Sequence, residues 1–436
     1  MGSFLAALQD KELKGRLTYV LWGFLAFIII VQVGVPGVNI KVWTTLLKSR
    51  ELFAFLGMFT GGALDNFSIA AMGITPYINA SIIMQLLTVV VPKLHEWQKE
   101  GGEQGRRKIN QIVRYMTMSL AFIQAFVMVV SLMKYTGPGG EKIFHFNNFA
   151  YVMLVVFALT AGTAVLVWLG ERITEKGIGN GTSMIIMAGI VLRYPDYLAN
   201  TFLLTKVSEN PTAQVIKLVF FFVLTILLII AIIYLTQAIR KVPVQYAKRV
   251  VGRRVMGGQN SYIPIKVNNA GVISIIFAIS VLYLPTTFTQ FVQANQSPAF
   301  VAFANWINSV FTPHHWFYNL AYLLLVIFFT YFYSAITFNI SDVADNMKKN
   351  GGFVPGIRPG KATIDYLDKI MNRITFISAM ALAIIAVAPN FVMQITGVTS
   401  FYLGSTSLLI IVGVALDTMQ QIEARLVMRN YQGFMK

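Results

Sequence analysis

From Val267 to Ser341 the chain contains no Asp, Glu, Lys or Arg, and from Ile374 to Leu416 it again contains none. Soluble domains carry about 25% charged residues and do not sustain such runs. A helix needs roughly 20 residues to cross ~30 Å of hydrocarbon, so each stretch holds two spans and a short connection. The composition of the 436 residues agrees: 56% are hydrophobic and 12% charged, with a mean hydropathy of +0.64. Such a chain can bury a large core but lacks the polar surface to wrap one. Its apolar richness excludes intrinsic disorder. With no cysteine, it has no disulfide framework, thiolate metal site or thiol nucleophile. The fold class is all-α, a polytopic membrane protein.

Ten apolar runs are long enough to span. They cover approximately 17–36, 74–92, 113–133, 149–170, 182–204, 218–238, 271–291, 317–338, 374–396 and 400–420. The first lacks a small-residue cleavage site and is followed by further spans, so it is not read as a secretory signal. The run 182–204 is interrupted by Arg193, Pro195 and Asp196. Its charged end is expected at an interface, where Arg can snorkel.

Orientation follows the basic residues of the loops. With the N-terminus cytoplasmic, 27 of the 35 basic and 13 of the 18 acidic residues fall inside, a net of about +14. The remaining eight and five leave about +3 outside. Ten spans with both termini cytoplasmic is the expected topology. Three inner loops, near 91–112, 239–268 and 339–373, are longer than connections require, and such loops often carry function. The segment Leu52–Ala71 fits neither span nor loop, being apolar yet broken by Gly57, Gly61, Gly62 and Asp65. Apolar chain that does not span must be buried in protein or line a cavity. A small helix folded back into an outer funnel is expected.

Other motifs carry less. GIGNG at 177–181 has no preceding strand, so it marks a break between spans and not a dinucleotide site. GIRPGKAT at 356–363 fails the phosphate-loop spacing, because Pro355 stands where a glycine is needed. His95, His145, His314 and His315 form no HExxH pattern, and no metal site is expected. No nucleophile–base pair emerges, so no enzyme and no cofactor are expected. Lys248, Arg249, Arg253 and Arg254 suit phosphates, anionic lipids or an acidic protein alike. The span interiors are nearly free of ionisable groups, unlike those of ion-coupled transporters. They carry isoleucine beside small polar residues instead, as in ITPYINASI at 74–82, where Ile74 and Ile78 share a helix face. Asn79 and Gln85 are costly in lipid and should face other helices or water.

Several stretches resemble the SecY family, the central subunit of the bacterial protein-conducting channel. They are FTGGALDNFSIAAMGITPYINASIIMQLL at 59–87, EGGEQGRRK at 100–108, WLGERITEKGIGNGTS at 168–183, QYAKRVVGRRV at 245–255, IPIKVNNAGVI at 263–273 and GGFVPGIRPGKAT at 351–363. The similarity is collinear from about Leu5 to Met435.

The resemblance implies a clamshell of two inverted-repeat halves, residues 1–205 and 206–436, around an hourglass pore. It implies a constriction ring of Ile74, Ile78, Thr182, Ile186, Ile276 and Ile410. Thr182 departs from the family pattern, where that position is usually aliphatic. It implies a plug helix at about 60–70, comprising Thr60, Gly61, Gly62, Ala63, Leu64, Asp65, Asn66 and Phe67. It implies a lateral gate of span two against span seven, with Asn79, Gln85 and Leu284. Lys248, Arg249, Arg253, Arg254, Arg358 and Lys361 would dock the SecA motor or a ribosome. Further implied partners are the small subunits SecE and SecG, signal peptides and nascent chains; anionic lipids remain candidates for the basic loops. The implied location is the bacterial cytoplasmic membrane. The competing class is a secondary transporter with inverted repeats, which explains the spans but not the long basic loops.

Overall fold

The computed structural model describes residues 10–49, 57, 60–99, 102–133, 140–145, 148–196, 199, 211–246, 249–251, 254–256, 260–293, 298–312, 315–396 and 405–433. Each of the ten apolar runs carries a helix there. In chain order these and shorter helices are α1 (Lys11–Gln32), α2 (Ile40–Ser49), α3 (Thr75–Val90), α4 (Pro92–Lys99), α5 (Gly102–Met133), α6 (Phe149–Lys176) and α7 (Gly181–Leu192). There follow α8 (Pro211–Gln237), α9 (Ile273–Gln293), α10 (Pro298–Val310), α11 (Trp316–Thr337), α12 (Ile340–Lys349), α13 (Lys361–Thr396) and α14 (Ser405–Gly433). Among the described residues, seven helices are long and apolar enough to cross a membrane. An eighth is counted if α3 and α4 form one span, but these are bent by 106°. Pro92 has no N–H to continue the ladder of α3, which is where the chain turns.

The helix ends are written in the sequence. Asp10 caps α1, accepting from the Glu12 N–H at 3.0 Å. Asn180 caps α7, accepting from the N–H groups of Thr182 and Ser183 at 3.1 and 3.3 Å. A carboxylate or amide oxygen satisfies donors that the first turn leaves without partners. Between helices, buried polar pairs replace hydrophobic contact as the specific adhesive. Asn390 of α13 donates to Asn319 of α11 at 2.7 Å. Ser334 of α11 and Thr375 of α13 share a buried hydrogen bond at 3.1 Å.

The basic loops hold a small sheet. Strands β1 (Ile239–Tyr246) and β4 (Asn260–Lys266) pair antiparallel, and β5 (Gly352–Phe353) adds to the other edge of β1. Two further strands, β2 (Arg249–Val251) and β3 (Arg254–Met256), pair between them. Alternation explains β1: Val242 and Val244 are buried while Lys241 and Pro243 are exposed, the period of two of a half-buried strand. Val242 and Ile265 pack with Ala344, Leu367 and Met371. Val244 packs with Met347 and Val354. The loops at 239–268 and 339–373 are therefore one body, built from the three-stranded sheet, α12 and the start of α13.

Residues 60–73 differ from expectation. They form successive turns, with a bridge from Ser68 to Gly34, and not a regular helix. Gly61 and Gly62 have φ of +65° and +87°, a left-handed geometry that cannot propagate a right-handed helix. Parts of the expected segment before Thr60, and Lys248 and Arg253 of the basic loops, lie outside the described residues.

Candidate functional site

Four elements converge on one apolar cluster. Ile74 stands at the N-cap of α3 and Ile78 one turn further on. Ile186 comes from α7, Ile276 from α9 and Ile410 from α14. Ile74, Ile186 and Ile410 are buried members of this cluster, and Ile78 and Ile276 pack against it half-buried. Close approach is needed between α14 and the start of α9. A Cβ at Gly413 would lie 2.1 Å from the Val272 side chain, so only glycine fits there.

Thr182 stands on α7 one turn before Ile186. It sits in the first turn of α7, where its N–H donates to the Asn180 side chain at 3.1 Å. Thr182 and Tyr77 both line a cavity of about 640 Å³ between α3, α5, α6 and α7.

The turn segment packs into the same cluster. Ala63 and Ala70 are fully buried and belong to the same apolar cluster as Ile74 and Ile186. Backbone bonds hold the segment: Val35 N–H donates to Phe67 O at 3.0 Å and Ile69 N–H to Val33 O at 2.9 Å. Trp43 Nε1 donates to Leu64 O at 2.6 Å, and Asn66 donates to Gln32 at 3.2 Å. Phe67, fully buried at φ +44°, meets Trp43 edge-on at 5.0 Å and Phe144 at 5.8 Å. Each such pair contributes about 0.5–1.5 kcal/mol beyond its area. Thr60 bonds Gly57 O at 3.1 Å, and Gly61 abuts Gly189 of α7.

Arg193, just past α7, forms an ion pair with Asp65. Burial pushes the Asp65 carboxyl above the usual carboxylate range, against the lowering pull of the Arg193 guanidinium. The sequence reading sent Arg193 to the interface. The signal for the pair was present, since a lone acid and a lone base in apolar surroundings each need a partner.

Helices α3 and α9 adjoin. Ile82 of α3 is buried in one cluster with Ile275, Ile279 and Leu282 of α9. Ile78 packs against both this cluster and the isoleucine cluster. Asn79 and Gln85 are half-buried on α3. Leu284 is 54% exposed, next to Pro285 inside α9.

On the sheet body, Arg358 and Lys361 are exposed. The turn bearing Arg358 is held by its backbone, whose carbonyl accepts from Thr363 Oγ1 at 2.9 Å. Ile357 packs against Val244, Met347 and Val354 below. Arg249 and Arg254 belong to the short strands β2 and β3. Among the described residues no cluster of three His, Asp or Glu could hold a metal.

A multi-span helical membrane protein with an apolar cluster between its helices, a turn segment seated in it and a basic sheet body fits the class of polytopic channel proteins. The SecY family profile matches residues 68–419. The protein translocase subunit SecY of Halalkalibacterium halodurans is 44% identical, covering 98% of this chain and 97% of that one. The chain belongs to the SecY family. The fold matches a SecY translocation channel whose plug domain stabilises the closed state and maintains a membrane seal. That match has a TM-score of 0.65 at 18% identity, over 95% of this chain and 92% of that one. It also matches Sec61 in a canine ribosome–channel complex from the endoplasmic reticulum, with a TM-score of 0.59 at 17% identity, over 95% and 93%.

Proposed function

We propose that this chain is the pore-forming subunit of a protein-conducting channel in the bacterial cytoplasmic membrane. It passes unfolded secretory chains across and releases hydrophobic segments sideways into lipid. The observation that carries this reading is the convergence of Ile74, Ile78, Ile186, Ile276 and Ile410 on one apolar cluster. Such a constriction offers ions no ligands and gates by dewetting. It makes no directional bonds, so any sequence can slide through it. A solute transporter would instead place ionisable or polar ligands at that depth.

In this reading residues 60–73 are the plug and rest against the ring from the outer side. The boundary between α3 and α9 is the side exit, with Asn79, Gln85 and Leu284 along it. Each apolar residue gains roughly 0.3–0.6 kcal/mol on insertion at a span centre. About ten Leu-like residues in a signal helix therefore supply ~3–6 kcal/mol, enough to shift a gate whose states differ by a few kcal/mol. The halves 1–205 and 206–436 would move against each other. Both termini would be cytoplasmic, which puts the basic sheet body in reach of a SecA motor or a ribosome. Phosphate contacts to ribosomal RNA would be salt-sensitive. SecE and SecG would complete the complex, and anionic lipids would meet its basic face. The chain acts as a conduit and not a catalyst.

Vesicles carrying the complex, supplied with motor, ATP and a signal-bearing substrate, should protect that substrate from added protease. Absence of protection despite correct assembly would refute the reading.

A further inference from the structure

The seam between α5 and α6 carries two features that polypeptide passage leaves unused. At its charged end is the cavity of about 640 Å³, walled by Arg107 and Arg114 of α5 and by Glu171, Arg172 and Glu175 of α6, with Tyr77 of α3 and Thr182 of α7 at its far side. Arg114 pairs with Glu171 at 2.7 Å and Arg172 with Glu175 at 2.9 Å. Arg107 pairs with Glu103 at 2.9 Å. The lining is thus of mixed sign. A simple anion would meet Glu171 and Glu175, and a simple cation would meet three guanidiniums. A ligand with both signs a few ångströms apart matches both sets.

Deeper along the same two helices lies an apolar groove of about 470 Å³, lined by Met118, Phe122, Ile123, Phe157 and Thr160 among others. Phe157, Trp168, Arg172 and Glu175 follow one exposed side of α6 by their spacing of eleven, four and three residues. Phe157 and Trp168 are 60% and 55% exposed. Eleven residues at 1.5 Å each separate them by ~16 Å along the helix, close to the ~15 Å depth of one leaflet. Trp168 and Tyr115 are exposed near the charged end, as aromatic rings are at headgroup level. The Arg172 guanidinium lies 5.8 Å from the Trp168 ring centroid.

We propose that this seam binds one phospholipid with a phosphoethanolamine headgroup. The phosphate is held by Arg107 and Arg172, the ammonium donates to Glu171 and Glu175, and an acyl chain lies in the groove beside Phe122 and Phe157. A choline headgroup has no N–H to donate to these carboxylates, and a glycerol headgroup has no positive charge to meet them.

The test uses the full-length chain in its membrane complex, stripped of lipid in detergent. It is titrated with dioleoyl phosphatidylethanolamine, phosphatidylcholine or phosphatidylglycerol, and bound lipid is counted by native mass spectrometry. The expected result is one tightly held phosphatidylethanolamine, preferred about tenfold, as paired charge-assisted contacts allow. The double variant R172Q/E175Q should lose the preference. Thr160→Trp, which fills the groove, should weaken all three lipids alike. Equal retention of the three lipids by the unmodified complex, or retention unchanged in both variants, overturns the proposal. Soluble phosphoethanolamine separates the sources. Failure to displace the bound lipid supports a two-part lipid site, and full displacement overturns it in favour of a soluble phosphate ester.

Discussion

Asp65 in the turn segment and Arg193 just past α7 form an ion pair that ties the segment to the helix bearing Ile186. Arg193 has 15% of its side chain exposed and Asp65 37%. The pair is thus sheltered but not sealed. Arg193→Gln removes one partner and leaves a half-buried carboxylate. It should unseat the segment by about 1–3 kcal/mol, the cost of an orphaned polar group. Ion leak through the reconstituted complex measures this, and Asp65→Asn added to Arg193→Gln should recover part of the loss.

That defect should depend on pH with a defined sign. Burial already raises the Asp65 carboxyl above its ordinary value, and loss of the guanidinium raises it further. An acid with a raised pKa in the seated state favours seating at low pH and opposes it as pH rises through the raised value. The leak of Arg193→Gln should therefore fall on mild acidification. The double variant with Asp65→Asn should show no such dependence.

Polar substitution within the isoleucine cluster should open a path for ions. Ile186→Asn or Ile410→Asn puts an amide where no partner waits, a cost of about 1–3 kcal/mol that entering water would relieve. Planar-bilayer conductance should rise in both. Thr182→Ile is the control, because it adds an aliphatic side chain and no polar group. Its conductance should match the unmodified channel.

Docking and folding of the basic body should separate. The Arg358 carbonyl, not its side chain, holds the turn, and the side chain is exposed. Arg358→Glu should change stability by less than about 0.5 kcal/mol, as surface substitutions do, yet abolish motor-driven transport with assembly intact. Val244→Asp should instead disrupt both loops, since Val244 of β1 is buried against Met347 of α12 and Val354.

Much of this was legible in the sequence. The charge-free runs located the helices, because only lipid tolerates them. The isoleucines at 74 and 78 declared a shared face, but their meeting with Ile186, Ile276 and Ile410 is long-range, and no local pattern encodes it. The turns at 60–73 were hidden because apolar composition speaks for burial and not for backbone shape. Gly61 and Gly62 carried the shape, and they were read as breaks in a span while a small helix was still expected. The β1–β4 hairpin was missed because a basic, loop-like composition masked the alternation of Val242 and Val244 with Ile263 and Ile265.

The central claim is that a polypeptide in transit passes through the cluster of Ile74, Ile78, Ile186, Ile276 and Ile410. The direct measurement places a photo-crosslinking residue singly at Ile186, at Ile276 and, as a lipid-facing control, at Ile123. A secretory chain arrested midway by a folded C-terminal domain is then irradiated. Adducts at Ile186 and Ile276 with none at Ile123 are predicted. Adducts absent from both cluster positions while the arrested chain is protease-protected would contradict the account.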